Sequence, residues 1–211
     1  AVAVGAAAVR PVRCLQGPPA HGIPHPRLTG LARAGIFPGT HLHSSPRQQL
    51  FLRQRQGLRP AAEHQRVAVD DAALVRLATY ALDAVHVHPD AELAIMLVDV
   101  AAMELLHVEW MDEPGPTDVL SWPMDELRPG TEDHPTPPGL LGDVVLCPEV
   151  AQAQAEAAGH TLDEELYTLT THGILHLLGF DHAEPDEERE MFELQKNIVL
   201  GFLLSEKARG K

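Results

Sequence analysis

Residues 172–182 read HGILHLLGFDH, and this stretch decides what the domain is built around. His172 and His176 are four residues apart, so on an α-helix both imidazoles project from the same face. Gly179 follows as a helix stop, since glycine adopts the left-handed conformation that ends many helices. The resulting turn is expected to bring His182 back towards the first two histidines. The spacing therefore predicts a three-histidine cluster on a central helix.

Three neutral imidazoles are the typical ligand set of a catalytic zinc site. They leave the fourth position of a tetrahedral zinc ion open for water, whose pKa the metal lowers towards neutrality. Chance is a poor explanation, although the chain has 13 histidines in 211 residues. At that frequency the full spacing is expected about 0.05 times, and together with Gly179 roughly 0.004 times. We therefore expect one Zn²⁺ per chain, bound by His172, His176 and His182.

The same histidine spacing occurs in the metzincin proteases, whose pattern is H-E-x-x-H-x-x-G-x-x-H. In that pattern the glutamate after the first histidine is the general base. Here the corresponding position is Gly173, which has no side chain to act as a base. A metalloprotease that takes its base from elsewhere in the chain stays open as an alternative.

Composition predicts one domain of ordinary size together with an extension. With 45% hydrophobic residues, the chain can bury a core without disulfides. Cys14 and Cys147 lie far apart and in no C-x-x-C pattern, which argues against a cysteine-ligated zinc and is typical of a reducing compartment. No window approaches about 18 consecutive apolar residues, so no membrane partner is expected.

Charge is divided unevenly along the chain. Residues 1–66 contain nine arginines and a single acid, Glu63, which gives a net charge of +8. Of the chain's 16 basic and 30 acidic residues, the remainder therefore holds 7 and 29, a net charge of −22. Such a split indicates two segments of different origin.

Residues 1–62 show no sustained helical or strand period and are rich in Ala, Pro, Gly, Arg and His. We expect this segment to be a disordered or non-native N-terminal extension. Three interpretations stay open: a targeting peptide, an RNA-binding arm, or upstream sequence attached by a wrongly placed start. We favour the last of these. Residues 63–211 are expected to form the globular, metal-binding domain.

From about residue 67 the pattern becomes globular and mixes helices with strands. Capping residues, prolines and apolar periodicity predict helices after Asp70 or Asp71, over Val100 to Trp110, from Pro148, from the Thr161–Glu164 capping box to about Leu178, and from Pro185. Short apolar runs predict strands over Leu93–Val98, Asp118–Trp122 and Asp143–Cys147. Prolines and glycines predict a loop over 123–142. Because no regular βαβ alternation is present, the pattern favours the α+β class.

Three blocks of sequence together resemble a known family. They are PTDVLSW at 116–122, LGDVV at 141–145 and the histidine stretch at 172–182. Over about residues 67–205 the chain resembles the YbeY family of bacterial rRNA maturation factors. The resemblance implies an α+β fold in which a small mixed β-sheet packs with several helices.

The same resemblance implies an activity and its partners. It implies a zinc-dependent, single-strand-specific endoribonuclease that processes rRNA ends, particularly of the small subunit, and takes part in ribosome quality control. The implied partners are single-stranded RNA or rRNA and the ribosome or ribosomal proteins, in the cytoplasm, and not DNA.

Three positions depart from the family's usual pattern. Trp122 stands in place of Phe and keeps an apolar role. Cys147 stands where a small polar residue is commoner, and we expect it to be structural. Met111 stands where an arginine often precedes the Pro-Thr block by five residues, and Arg128 is a candidate to replace that arginine at phosphate.

Asp181, Asp143 and Ser121 are the candidate catalytic residues. Asp181 either orients a ligand imidazole through its second nitrogen or stabilises the turn after Gly179. Asp143, like Asp118, is either a base or a support for a ligand, or it caps the end of a strand. Ser121 either contacts substrate or hydrogen-bonds the backbone.

The acidity of the globular part bears on this function. RNA binding normally draws on a basic surface, because neutralising phosphates supplies much of the affinity. A domain with a net charge of −22 is therefore expected either to concentrate its few cations near the cleft or to borrow affinity from a ribosomal partner. A metal-binding ribosome assembly factor without catalytic activity is a further alternative that explains the same acidity.

Overall fold

A computed structural model describes residues 50–52 and 67–210 of the chain. These residues form four strands and five helices. In chain order the elements are β1 (Leu50–Leu52), α1 (Asp71–Ala84), β2 (Glu92–Leu97), α2 (Val100–Met111), β3 (Val119–Pro123), β4 (Leu140–Leu146), α3 (Pro148–Ala158), α4 (Leu162–Leu177) and α5 (Pro185–Ala208). Across this part of the chain, no helix combines the length and the apolar character needed to cross a membrane.

The four strands form one mixed sheet in the order β1–β2–β4–β3. Strands β1, β2 and β4 run parallel, and β3 runs antiparallel to β4. A small mixed sheet packed with several helices confirms the predicted α+β fold. Strand β1 falls within residues 1–62, and at three residues it is too short to show an alternating pattern. The rest of that segment, and the expectation made for it, lies outside the described residues.

The two faces of the sheet are covered by different helices, because side chains alternate along each strand. On one face, Val119 and Val144 join the main core with residues of α1, α4 and α5. On the other face, Leu120 and Val145 pack against α2. Helix α4 contacts β3 and β4 and also packs against α1, α3 and α5. The histidine-bearing helix is therefore the central helix of the domain, as predicted.

The helices begin where the local sequence predicts. At the start of α1, the Asp70 carboxylate accepts a hydrogen bond of 3.0 Å from a backbone N–H three residues on. Thr161 and Glu164 form the predicted capping box at the start of α4. Pro148 and Pro185 open α3 and α5, where the missing proline N–H costs no helical hydrogen bond.

Strand β4 begins at Leu140, three residues before the predicted start at Asp143. The predicted loop over 123–142 relied on prolines and glycines, but Gly142 belongs to the strand. Its φ is +141°, and a Cβ there would lie 2.2 Å from the carbonyl oxygen of Trp122. Glycine is therefore required where β3 and β4 approach closely. The pairing of β4 with β2 is irregular at the same point.

The connection between β3 and β4, residues 124–139, is fastened to the domain at several points. Leu127 is buried in the main core. The Asp125 carboxylate accepts a hydrogen bond of 2.7 Å from the backbone at the start of β4. The Thr136 hydroxyl accepts one of 2.7 Å from the backbone of the segment before β2. This long connection therefore holds its side chains in defined positions.

Candidate metal centre

The C-terminal half of α4 places two histidines in the interior. His172 and His176 are 4% and 9% exposed, and their rings meet edge to face with centroids 4.5 Å apart. The fully buried Ile174 and Leu175 between them pack in the main core. The apolar residues of the motif thus hold the two imidazoles rigidly on one side of the helix.

Gly173 has a packing role that the sequence motif alone does not show. A Cβ at this position would lie 2.9 Å from a methyl carbon of Val144 and 3.5 Å from one of Val119. The glycine therefore lets α4 lie close against β3 and β4. A glutamate at position 173 would force the Val144 side chain to move, so the metzincin base position conflicts with the packing of α4 on the sheet.

The turn after α4 has the hydrogen bonds of a Schellman motif. The N–H of Gly179 donates to the carbonyl oxygen of His176 at 2.9 Å, and the N–H of Phe180 donates to that of Leu175 at 3.1 Å. Gly179 has a φ of +83°, which is costly for residues with a Cβ. The predicted helix stop is confirmed, and it turns the chain back towards the histidines of α4.

Asp181 fixes the next step of the turn. Its Oδ1 accepts a hydrogen bond of 2.8 Å from the backbone N–H of His182. The His182 ring then lies beside the other two, with centroids 5.4 Å from His172 and 5.0 Å from His176. The predicted clustering of the three histidines is observed.

The nitrogens of the three imidazoles converge. The Nε2 atoms of His172 and His176 are 2.9 Å apart, and one ligand atom from each histidine lies within 4.8 Å of the others. The Nε2 of His182 is buried and has no hydrogen-bond partner among the described residues. A buried nitrogen without a partner is costly unless a ligand satisfies it. Three nitrogens at this spacing fit a metal ion with about 2.0–2.1 Å zinc–nitrogen bonds after small shifts.

The protonation state of His172 and His176 also favours metal binding. Burial lowers the pKa of His172 to about 4. Burial, together with the charges of His172 and His182, lowers the pKa of His176 to about 3. Both imidazoles are therefore neutral near pH 7, which is the form that binds metal ions.

Gln195 is a residue of this site that the sequence reading missed. It lies on α5, and its Oε1 is 2.9 Å from Nδ1 of His172. A hydrogen bond donated by Nδ1 to this oxygen leaves Nε2 of His172 as the unprotonated nitrogen that faces the cluster. The available signal was a polar residue on the packed face of α5, four residues after Met191 and three before Ile198.

The other candidate residues occupy different surroundings. Ser121 is buried in β3 and pairs with Val144, on the face of the sheet that α4 covers. Asp143 precedes Val144 in β4, so strand alternation places it on the opposite face, which α2 covers. The structure thus brings Asp181 to the histidine turn and Ser121 to the α4 side of the sheet, but places Asp143 on the other side.

Asp118 uses its carboxylate to hold secondary structure. Its Oδ1 accepts hydrogen bonds from the N–H of Val119 at 2.7 Å and from the hydroxyl of Thr117 at 3.1 Å. Its Oδ2 accepts one of 2.9 Å from the Gln154 amide of α3. These contacts match the strand-capping alternative for this residue.

The positions that depart from the family pattern are mostly apolar in their packing. Met111 and Trp122 pack against the cluster between α2 and the sheet, so position 111 brings no cation to the histidines. Cys147 is fully buried in that cluster, and burial raises the pKa of its thiol. Arg128 is different, since its Nη1 donates a hydrogen bond of 3.3 Å to the carbonyl oxygen of Leu178 at the end of α4.

The fold and the site define an α+β domain whose central helix and following turn carry a candidate three-histidine metal site. The family model described as "Endoribonuclease YbeY" matches residues 61–202. The chain belongs to the YbeY endoribonuclease family, and an endoribonuclease takes RNA as its substrate.

Two sequence relatives agree with this assignment. The chain is 72% identical to a protein of Clavibacter sepedonicus named "Endoribonuclease YbeY" over 143 residues, which cover 68% of this chain and 94% of the relative. It is 75% identical to a protein of the same name from Leifsonia xyli subsp. xyli over 136 residues, 64% of this chain and 89% of the relative. A Thermotoga maritima protein of known solution structure is 27% identical with a TM-score of 0.49, over 68% of this chain and 89% of that one.

Proposed function

We propose that this protein is a zinc-dependent, single-strand-specific endoribonuclease of the cytoplasm that acts in rRNA maturation, particularly at small-subunit ends, and in ribosome quality control. The observation that carries the proposal is the convergence of three imidazoles, one of which has a buried nitrogen without a partner in the described part of the chain. Membership of an endoribonuclease family supports RNA as the substrate.

His172, His176 and His182 would hold the zinc ion through the nitrogens that face one another. Bound zinc supplies Lewis-acid chemistry, which stabilises the negative charge that develops on phosphoryl oxygens during phosphodiester cleavage. The protein's own part is to keep the nitrogens of His172 and His176 unprotonated by burial and to fix the directions of the ligand nitrogens. Gln195 and Asp181 do the latter through hydrogen bonds to His172 and to the backbone of His182.

The proposal assigns different roles to the three candidate catalytic residues, Asp181, Ser121 and Asp143. Asp181 acts as a positioning residue for the histidine turn, since its carboxylate accepts a hydrogen bond from the backbone N–H of His182. Ser121 stays a candidate to contact substrate because it lies on the α4 side of the sheet, with its burial in β3 as the observation against it. A catalytic part for Asp143 stays a prediction, with its position on the opposite face of the sheet as the observation against it.

The charge of the domain favours a partner. Residues 67–211 hold 7 basic and 29 acidic residues, so free RNA gains little from general electrostatic attraction. We therefore propose a ribosomal protein or the ribosome as a partner that supplies affinity, with neither DNA nor a membrane as a ligand. We also propose that residues 63–211 form the enzyme domain and residues 1–62 an extension, with the pairing of β1 to β2 as the observation against that boundary.

The proposal is tested by measuring metal content and RNA cleavage on the same preparations, purified without chelator. The wild type is compared with a His172→Ala/His176→Ala double variant on single-stranded and double-stranded rRNA fragments. We expect about one zinc per wild-type chain and cleavage of single-stranded RNA by the wild type alone. His134→Ala is the matched control, since His134 is an exposed histidine of the β3–β4 loop.

Other outcomes would separate the alternatives. Casein cleavage that depends on His172 and His176 would support the alternative that the protein is a metalloprotease. The non-catalytic assembly factor would be favoured by two results together. The protein would bind zinc but not cleave RNA, whether or not ribosomal subunits are present, and rRNA processing in cells would survive His176→Ala. Absence of bound metal from the wild type would contradict the zinc site.

A further inference from the structure

Arg128 stands out among the arginines of the domain. The four arginines within residues 67–210 are Arg76, Arg128, Arg189 and Arg209. Three of them pair with carboxylates, at 2.8 Å, 2.9 Å and 3.2 Å respectively for Arg76, Arg189 and Arg209. In this part of the chain, Arg128 makes no such ion pair. An unpaired arginine is unexpected in a segment with 29 acidic residues, and this favours a role in binding an anion.

The side chain of Arg128 lies directly on the turn that completes the histidine cluster. Its Nη1 donates to the carbonyl oxygen of Leu178. A Cβ placed on Gly179 would lie only 1.1 Å from Nη1, so the guanidinium group occupies the space that a side chain at 179 would take. Gly179 is three residues from both His176 and His182. The guanidinium group is therefore within roughly 10 Å of the backbone of either histidine.

The base of this arginine is fixed while its head is accessible. Leu127, its neighbour, is buried, and the loop is held by hydrogen bonds on both sides. Arg128 itself is exposed. A guanidinium has five N–H donors, and the described structure uses one of them, in the 3.3 Å bond to Leu178. A helix cap needs no more than this bond, so the remaining donors are available to a ligand.

We propose that Arg128 binds a backbone phosphate of the RNA next to the phosphodiester held at the histidine cluster. This inference rests on the proposed endoribonuclease function. The planar guanidinium group binds phosphate oxygens through two parallel N–H donors, which gives both charge and direction. Every nucleotide of a single strand carries a phosphate, so a strand that crosses the cluster presents one to the neighbouring turn.

The salt dependence of RNA binding tests this assignment. Binding of a labelled, uncleavable 2′-O-methyl RNA strand is measured by fluorescence anisotropy at several salt concentrations, for the zinc-loaded wild type and for Arg128→Gln. Loss of one phosphate contact on a single strand lowers the slope of log affinity against log salt by about 0.7. We also expect roughly tenfold weaker binding at low salt. Arg128→Lys should keep the slope and recover part of the affinity, since it restores the charge without the fork.

Arg209→Gln is the matched control. Arg209 is also an exposed arginine at a helix end, but it lies 14 residues beyond Gln195 on α5, about 20 Å further along the helix. For Arg209→Gln, the slope of log affinity against log salt should equal that of the wild type. A fall in slope as large as that of Arg128→Gln would show a general effect of charge and would overturn the assignment.

Two further outcomes would overturn it, and they are distinguishable. If the wild type cleaves RNA and Arg128→Gln keeps the wild-type slope and affinity while its melting temperature falls, Arg128 is only a cap for α4. If the wild type neither binds nor cleaves single-stranded RNA, the proposed function fails together with the phosphate contact.

Discussion

The two ends of helix α4 are built in different ways. The N-terminal end is solvent-accessible and local: Thr161 and Glu164 satisfy each other's backbone N–H groups within four residues. The C-terminal end is buried and depends on distant parts of the chain. His172 contacts Gln195 of α5, and Arg128 of the β3–β4 loop lies on Gly179. Changes at the first end should therefore affect stability alone, and changes at the second should also affect metal binding.

The largest expected effect is on the stability of the metal-free protein at low pH. The folded-state pKa values of His172 and His176, about 4 and about 3, lie below the usual value of 6.5. Between pH 6.5 and the folded-state pKa values, the unfolded state binds more protons than the folded state. The contribution of these histidines to the free energy of unfolding is therefore fully present above pH 6.5 and falls as the pH drops towards 4. The loss amounts to roughly 1 kcal/mol per histidine per pH unit. Urea unfolding with chelator at pH 7 and pH 5 measures it.

The N-terminal end should respond in a lower pH range. Hydrogen bonds from the Thr161 backbone and hydroxyl lower the pKa of Glu164, so its contribution is present above the usual value of 4.5 and is lost only below it. A His172→Gln/His176→Gln variant should lose most of the stability change between pH 7 and pH 5. An unchanged pH dependence in this variant would show that other groups cause it.

The next largest effect is expected at Gln195. Gln195→Ala removes the acceptor that orients His172, and we expect zinc affinity to fall about 10–100-fold. Competition with a chelating dye measures this directly, without an activity assay. Gln152→Ala is the control, since Gln152 is a helical glutamine whose amide bonds an exposed Glu156. Equal zinc affinities for the wild type and Gln195→Ala would refute the positioning role.

Two helix-ending glycines allow backbone strain to be separated from site geometry. Gly179 and Gly159 have φ values of +83° and +78°, but only Gly179 has a neighbour, Arg128, in the space of its missing side chain. Gly159→Ala should cost about 1–2 kcal/mol in the free energy of unfolding and leave zinc affinity unchanged. Gly179→Ala should cost at least as much and also weaken zinc binding, because a residue with a Cβ disfavours the positive φ of the turn that carries His182. Identical zinc affinities in both variants would contradict this distinction.

The smallest effect is expected at the exposed end of α4. Thr161→Ala removes the hydroxyl that accepts from the N–H of Glu164 and should cost about 1 kcal/mol of stability. Zinc content and RNA cleavage should stay at wild-type levels at temperatures where the variant is folded. A loss of zinc from folded Thr161→Ala would show that the two ends of the helix are not independent.

The same contrast explains what could be predicted from the sequence. Short segments of sequence determine the capping box, the opening prolines and the helix stop at Gly179. Once the helix and the turn form, the spacing of the three histidines brings their side chains together. Gln195 was missed because its contact joins residues 23 positions apart on different helices. The position of Arg128 and the early start of β4 at Leu140 likewise depend on packing between segments, for which single-sequence patterns carry no signal.

The central claim is that one metal ion is bound by three imidazoles and by no thiol. X-ray absorption spectroscopy of the zinc-loaded protein, together with a zinc titration, tests it most directly. We predict one zinc per chain, a first shell of nitrogen and oxygen atoms at about 2.0–2.1 Å, and outer-shell scattering from three imidazole rings that is reduced in His182→Ala. A sulfur ligand at about 2.3 Å, or a spectrum unchanged in His182→Ala, would contradict the three-histidine site.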